Sequence, residues 1–153
     1  MVNIYSVDSE KLLVDAMRVG FQFWEETPVF NKYEWNSEKA FEFAQHVVDN
    51  DNACMYIAYI KEEPVGLIIG EIVDFYFSKA KFLKDMFIYV RPEHRGGKAA
   101  YLLMKEYLKF GEKKNVDDTF FQVSAGIDNE KSVEFLGKFG FTVMSYGLIK
   151  EKV

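Results

Sequence analysis

The stretch FIYVRPEHRGGKAAYLL, residues 87–103, decides how the rest of the chain is interpreted. Its apolar beginning predicts a buried strand, Pro92 ends any strand ladder, and the glycines predict a tight turn into a helix. Glycine lets such a turn adopt backbone angles that are closed to other residues. Successive N–H groups then point inward at the start of the helix, where the helix dipole favours an anion, ideally phosphate.

Positive charge is concentrated in this turn, although the chain as a whole is acidic. Arg91, Arg95 and Lys98 lie in one short segment, while the formal net charge is −5. Such a cluster indicates a specific anion site rather than a solvated loop, and the net charge argues against general nucleic-acid binding. A nucleotide-phosphate binder is an alternative, but the Walker lysine motif and the Gly-x-Gly-x-x-Gly motif are both absent.

Outward from this turn, the hydrophobic period alternates between that of strands and that of helices. We predict helices that begin near Ser9, Ser37, Lys98 and Asn129. Strands are predicted at residues 4–7, 55–60, 65–75, 82–90, 119–124 and 141–149. The order β-α-α-β-β-β-α-β-α-β predicts an α/β (α+β) domain, with a mixed central sheet and helices on both faces.

The composition fits one domain over residues 1–153, because there is no repeat and no Pro/Gly/Ser linker. No apolar run is long enough to span a bilayer, and the N-terminus does not resemble a secretory signal, so we expect a cytoplasmic protein that does not bind membranes. Cys54 stands in an apolar stretch and is interpreted as a buried core residue. One cysteine and two histidines predict neither an internal disulfide nor a metal cluster.

The decisive stretch resembles the signature of the GNAT superfamily of N-acetyltransferases, and its Gly-rich form is similar to that of some phage-borne members. The signature is Val-x-Pro, then Arg/Gln-x-x-Gly-x-Gly/Ala, then a helix with paired leucines. Residues 90–92, 94–99 and 102–103 follow it, with His94 in place of Arg/Gln in one register and Lys98 in place of glycine in the other. Asn129 and the terminal Gly140-Phe141 match a second family motif, so the resemblance covers essentially the whole chain.

The resemblance implies a three-layer fold with six to seven strands, acetyl-CoA as the cosubstrate without a metal, and direct acetyl transfer without an acyl-enzyme. It implies that strand amides bind the pantetheine arm while the turn binds phosphate. The residues expected to bind the cosubstrate are Phe87, Ile88, Tyr89, Val90, His94, Arg95, Gly96, Gly97, Lys98, Ala99 and Asn129. A homodimer is an expectation at the level of the family only.

The catalytic groups are less well defined by the sequence. Many family members supply a proton to the leaving thiolate from a tyrosine in the last helix, where this chain has Leu136. Water or Tyr146 could replace that acid, although Tyr146 could equally be an ordinary sheet residue. Asp85 matches a carboxylate of some members and is a candidate base, with Glu71 on the neighbouring strand as the alternative.

The acceptor is expected to bind at the loop between the first two helices, which borders the acceptor site in this family. Glu25, Glu26, Tyr33 and Glu34 place carboxylates beside aromatic faces, which suits a cation. The alternative is a solvated acidic loop that covers the core. The sequence thus predicts an enzyme that acetylates a primary amine of a small molecule or peptide. A catalytically inactive acyl-CoA-binding or structural module is the alternative.

Overall fold

The computed structural model of the protein describes residues 1–152. The strands of this part of the chain are β1 (Val2–Ser6), β2 (Ala53–Ile60), β3 (Glu63–Asp74), β4 (Lys81–Val90) and β5 (Asp118–Phe120). The helices are α1 (Glu10–Glu26), α2 (Ser37–Asp49), α3 (Ala99–Lys113) and α4 (Asn129–Gly137), with a 3₁₀ turn at Pro92–His94 before α3. None of the described helices is both long enough and apolar enough to cross a bilayer.

The helices begin where short polar side chains can bind the free N–H groups of the first turn. Ser9 caps α1, as predicted, by accepting a hydrogen bond from the backbone N–H of Leu12 at 3.3 Å. The caps of α2 and α4 are Asn36 and Asp128, each one residue earlier than the sequence predicted. The helices themselves therefore stand in their predicted places.

The sheet has the spatial order β1-β2-β3-β4-β5, in which the first four strands are antiparallel and β5 runs parallel to β4. Because side chains alternate across a strand, β3 contributes Leu67 and Ile69 to a core with α1 and α2, and Ile68 to a second core with α3. Helices therefore cover both faces of a mixed sheet, which confirms that part of the predicted fold class.

The described sheet has five strands, and the prediction of six to seven is wrong. β5 ends at Phe120 instead of residue 124, and residues 141–149 form no strand. Phe141 still packs on Phe121, with ring centroids 6.2 Å apart, but the side chain of Leu148 is 96% exposed. An alternating apolar pattern produces a strand only where one face is buried against a partner, and residues 142–149 lack that burial.

A bulge in β4 shapes the strand that carries the predicted site. Ile69 pairs with Phe87 and Gly70 pairs with Asp85, so Met86 is the extra residue of the bulge. Gly70 is required opposite the bulge, because a Cβ there would lie 2.5 Å from the ring of Tyr107 on α3. The absent side chain lets α3 pack directly against the sheet at this point.

Candidate active site

The site forms where β4 and β5 separate. The two strands are paired only from Phe82 to Lys84 on β4 and from Asp118 to Phe120 on β5. Beyond that point residues 87–90 remain paired with β3 on one side, while no strand of the described residues pairs with their other edge. Backbone N–H and C=O groups along that edge are available to an extended ligand, because a strand leaves them free wherever it lacks a neighbour.

The predicted glycine turn before α3 is present. Gly96 has φ of +84°, which favours glycine, and Gly97 follows it directly before α3. The N-cap residue of α3 is Lys98, and its side chain makes no capping hydrogen bond. The first N–H groups of α3 thus lack a side-chain acceptor, while Ala99 is buried beneath them. Donors in this arrangement fit an anion such as a pyrophosphate.

Arg95 binds a carboxylate of α1. Its guanidinium forms two hydrogen bonds of 2.7 Å to the Glu26 carboxylate, and its Nε donates to the carbonyl oxygen of Val90 at 2.8 Å. The Tyr89 hydroxyl donates to the same carboxylate at 2.8 Å, and the guanidinium lies over the Tyr89 ring. The hydrogen bonds from Arg95 lower the pKa of Glu26. Two residues predicted for different ligands, Glu26 for the acceptor and Arg95 for phosphate, are therefore partners.

Asp85 lies where the two strands separate. Its Oδ1 accepts a hydrogen bond of 2.7 Å from the backbone N–H of Gln122, the second residue beyond the end of β5. Burial raises the pKa of Asp85 to about 6, an effect that this hydrogen bond only partly opposes. The hydroxyl of Tyr107 donates to the carbonyl oxygen of Phe120 at 3.0 Å, next to the same point. A half-buried carboxylate thus lies at the start of the unpaired β4 edge, a position suited to proton transfer.

The loop after α1 is hydrogen-bonded to the loop between β5 and α4. The hydroxyl of Thr27 is fully buried and donates to the carbonyl oxygen of Ala125 at 2.5 Å, across 98 residues of sequence. Gly126 has φ of +75°, and a Cβ on it would lie 2.8 Å from Val29. Glu26 and Thr27 therefore connect the end of α1 to β4 and to the β5–α4 loop respectively. The sequence did not predict this role of Thr27, because the residues around a buried loop threonine do not differ from those around an exposed one.

A cleft of about 460 Å³ lies between the last turns of α1 and the end of β4, whereas the sequence placed the acidic residues Glu25 and Glu26 in the α1–α2 loop. It is lined by Gln22, Glu25, Glu26, Tyr89, Arg91, Pro92 and Glu93. Arg91 donates to Gln22 at 2.8 Å and pairs with Glu63 at 3.4 Å, so its charge is already engaged. Glu26 is paired with Arg95, so Glu25 and Glu93 are the carboxylates that give the cleft an acidic lining, which suits a cation.

The other predicted residues lie outside this cleft. Tyr33 and Glu34 are exposed on the α1–α2 loop, where the carbonyl oxygen of Tyr33 accepts from Trp24. The Asn129 side chain accepts from the backbone N–H of Gly126 at 3.1 Å, which steadies the loop before α4. Tyr146 is 89% exposed, and Leu136 is buried in the core with α3. His94 lies in the 3₁₀ turn.

The described residues contain no group of three or more histidine, cysteine, aspartate or glutamate side chains arranged to hold a metal ion. Cys54 is buried, and burial raises the pKa of its thiol to about 12. The thiol is therefore protonated near neutrality and is a poor nucleophile.

Solved structures share this fold over nearly their whole length. The aminoglycoside acetyltransferase AAC(6')-Iy, in complex with the bisubstrate analogue CoA-S-monomethyl-acetylneamine, has a TM-score of 0.80 and 16% identity, over 100% of this chain and 99% of that chain. The apo aminoglycoside 6'-N-acetyltransferase AAC(6')-IG from Acinetobacter haemolyticus has a TM-score of 0.74 and 18% identity, over 99% and 98%. A transcriptional regulator from Bacillus halodurans C-125 has a TM-score of 0.80 and 12% identity, over 99% and 100%. At identities of 12% to 18%, these structures show a shared fold.

The sequence itself matches the acetyltransferase (GNAT) family over residues 18–141. That range contains β4, the glycine turn and α3, which carry the predicted site. The protein belongs to the GNAT acetyltransferase family, which confirms the resemblance seen in residues 87–103. No curated protein sequence matches the chain.

Proposed function

We propose that the protein is an N-acetyltransferase that moves an acetyl group from acetyl-CoA to a primary amine by direct transfer. One observation carries this proposal: residues 91–98, which contain the glycine turn, connect the unpaired edge of β4 to the uncapped start of α3. The edge offers free backbone groups to an extended ligand, and the helix start offers N–H donors to a phosphate at one end of it. In a chain of this family, acetyl-CoA is the ligand that fits both.

The residues of the turn fit the phosphates of acetyl-CoA. Backbone N–H groups of Gly97 to Ala99 supply the donors, and Lys98 supplies positive charge without an ion pair among the described residues. The backbone of Phe87, Ile88, Tyr89 and Val90 would hold the pantetheine arm as a neighbouring strand would. Bound acetyl-CoA supplies an activated acyl group, whose C–S bond breaks as the amine nitrogen forms the new C–N bond.

The proton that the attacking nitrogen loses needs an acceptor. Asp85 would take it, directly or through water, because a carboxylate with a pKa of about 6 is ionised near neutrality and is more basic than an ordinary aspartate. The departing sulfur takes up a proton from solvent, because Tyr146 is 89% exposed and lies on no strand. Donors on the β4 backbone would polarise the thioester carbonyl.

We propose a small, polycationic amine as the acceptor. The cleft at the end of α1 is lined by Glu25 and Glu93, and by Glu26, which is paired with Arg95; it adjoins the β4 edge through Tyr89. Several proteins with the same fold are aminoglycoside acetyltransferases, whose acceptors carry several amino groups. At identities below 20% this likeness supports an amine class, and an individual acceptor has to be found by screening.

A second candidate function is an acyl-CoA-binding module without catalysis. Leu136 fills the core where many family members place an acidic tyrosine, and Tyr146 is 89% exposed. This reading keeps the cosubstrate site and removes only the chemistry. Both functions predict that the protein binds acetyl-CoA, and only the enzyme is expected to turn it over.

The first experiment is a thermal-unfolding titration with acetyl-CoA and, separately, with ATP. Stabilisation by acetyl-CoA alone supports the cosubstrate, since a ligand that binds the folded state raises its stability. Release of free thiol with any member of an amine panel then supports the enzyme, and binding without release across the panel supports the inactive module. Absence of stabilisation by acetyl-CoA would overturn both candidates.

A further inference from the structure

The ion pair between Glu26 and Arg95 joins the two halves of the proposed site. Arg95 belongs to the glycine turn that would hold phosphate, and Glu26 lines the acidic cleft. In the structure each terminal guanidinium nitrogen directs one N–H to the Glu26 carboxylate, at 2.7 Å each, so the paired face of the guanidinium is occupied by Glu26. The pair therefore neutralises one cation of the phosphate site and one anion of the cleft at the same time.

The two partners differ in how firmly they are held. Glu26 stands at the last position of α1 and also accepts a hydrogen bond from Tyr89, a buried residue of β4. Arg95 stands between the 3₁₀ turn and Gly96, outside any helix or strand, and its guanidinium has two other contacts, the Nε hydrogen bond to the carbonyl oxygen of Val90 at 2.8 Å and the ring of Tyr89. If phosphate replaces the paired hydrogen bonds to Glu26, the guanidinium moves with the turn while the carboxylate stays beside the cleft.

We propose that Arg95 is shared, so that the phosphates of acetyl-CoA draw it away from Glu26 and leave the carboxylate free for the amine. This inference rests on the proposed function. A pyrophosphate carries two negative charges, against one on a carboxylate, and forms equally good paired hydrogen bonds with arginine. The amine then binds more tightly after acetyl-CoA than before it, and by reciprocity acetyl-CoA binds more tightly in the presence of the amine.

Calorimetric titration of CoA into four variants tests the sharing, with CoA itself as the probe so that no turnover occurs. Glu26→Gln removes the competing charge and keeps a hydrogen-bond acceptor for Tyr89. We expect it to bind CoA about 5-fold or more tightly than the parent protein, in the usual range of coupling between sites. Arg95→Gln should weaken CoA binding, and adding Glu26→Gln to Arg95→Gln should restore nothing.

Glu93→Gln is the matched control, because Glu93 lies two residues from Arg95 and lines the same cleft without pairing with it. It should change CoA affinity much less than Glu26→Gln does. Equal gains in the two variants, no gain in Glu26→Gln, or the same gain in the Arg95→Gln background would each overturn the sharing. A parent protein that does not bind CoA would overturn the proposed function itself, and this inference with it. Unfolding temperatures of all four proteins confirm that each is folded.

Discussion

At the scale of single residues, Asp85 combines two properties that a base in this site needs. It is buried enough for its pKa to rise to about 6, and its Oδ1 is held by the backbone N–H of Gln122. The first property makes the carboxylate more basic, and the second fixes its position at the start of the unpaired β4 edge. An ordinary aspartate on the surface would have neither.

Replacement of Asp85 tests its role as a base. In Asp85→Asn, turnover should fall by about 100-fold or more, the usual contribution of a general base, while acetyl-CoA affinity stays nearly constant. In the parent protein kcat/KM should fall as pH drops through about 6, because protonated Asp85 cannot accept a proton. The acid limb of this profile should disappear in the variant. Steady-state rates from pH 5 to 8 and calorimetry with acetyl-CoA provide the two measurements.

Glu71→Gln is the comparison for Asp85→Asn, because Glu71 was the alternative base on the neighbouring strand. Glu71 is the strand partner of Lys84 in the β3–β4 register, one position from Asp85. If Asp85 is the base, Glu71→Gln keeps both the turnover and the acid limb. Equal turnover in Asp85→Asn and the parent protein would remove Asp85 from the mechanism, and a loss confined to Glu71→Gln would transfer the role.

The glycine turn allows a test of the phosphate site with a matched pair of variants. A Cβ on Gly97 would meet only the carbonyl oxygen of His94 at 3.5 Å, an ordinary contact, so Gly97→Ala should fold and bind acetyl-CoA. Gly97→Asp adds a negative charge at the same place, which should cost about 2 kcal/mol, or roughly 30-fold in affinity, by repulsion of phosphate. Calorimetry on both variants measures the difference. Equal affinities in the two variants would mean that phosphate does not bind at Gly97.

At the scale of secondary-structure elements, the sequence correctly predicted those features that depend on interactions between residues close together in the chain. The hairpin of β2 and β3, the start of α1 at Ser9 and the glycine turn before α3 all stand where the sequence placed them. The strand at 141–149 failed because its formation needs a neighbouring edge, and its own alternation carries no information about one. The partnership of Glu26 with Arg95 was not predicted for the same reason, since 69 residues separate them and no local pattern connects them.

Two glycine-to-alanine changes should have opposite effects on the free energy of unfolding, because one glycine lies in the close packing between α3 and β3 and the other lies in open space on α1. Gly70→Ala places a Cβ 2.5 Å from the fully buried ring of Tyr107, and we expect a loss of about 1–3 kcal/mol in the free energy of unfolding. Gly20→Ala, on α1, meets no atom within 4 Å and should gain about 0.5–1 kcal/mol through helix propensity. Urea denaturation of both variants measures the two effects. A neutral Gly70→Ala would show that the helix can shift away from the sheet at little cost.

At the scale of the whole molecule, the hydrogen-bonded carboxylates of Glu26 and Asp85 change the free energy of unfolding in opposite directions when they ionise. Glu26 has a lowered pKa, so it stabilises the folded state above the pKa of an unfolded glutamate, and this stabilisation is lost as pH falls. Asp85 has a raised pKa, so the folded state binds its proton more tightly than the unfolded state does. Its ionisation between about pH 4 and 6 therefore destabilises the fold. The protein keeps a destabilising charge at the point where the proposed chemistry needs a base.

This destabilisation predicts a gain in stability when Asp85 is made neutral. Asp85→Asn should unfold with a free energy close to that of the parent protein at pH 4, where Asp85 is uncharged in the folded state and about half ionised in the unfolded state. By pH 7 the variant should be the more stable of the two by up to about 3 kcal/mol, the free energy equivalent of a pKa rise from 3.8 to about 6. Urea denaturation at pH 4, 5, 6 and 7 measures the difference, and all other carboxylates cancel because both proteins contain them. A variant that is less stable by the same amount at every pH would contradict this prediction. It would show that the hydrogen bond from the backbone N–H of Gln122 to the carboxylate stabilises the fold, and that burial of the charge does not destabilise it.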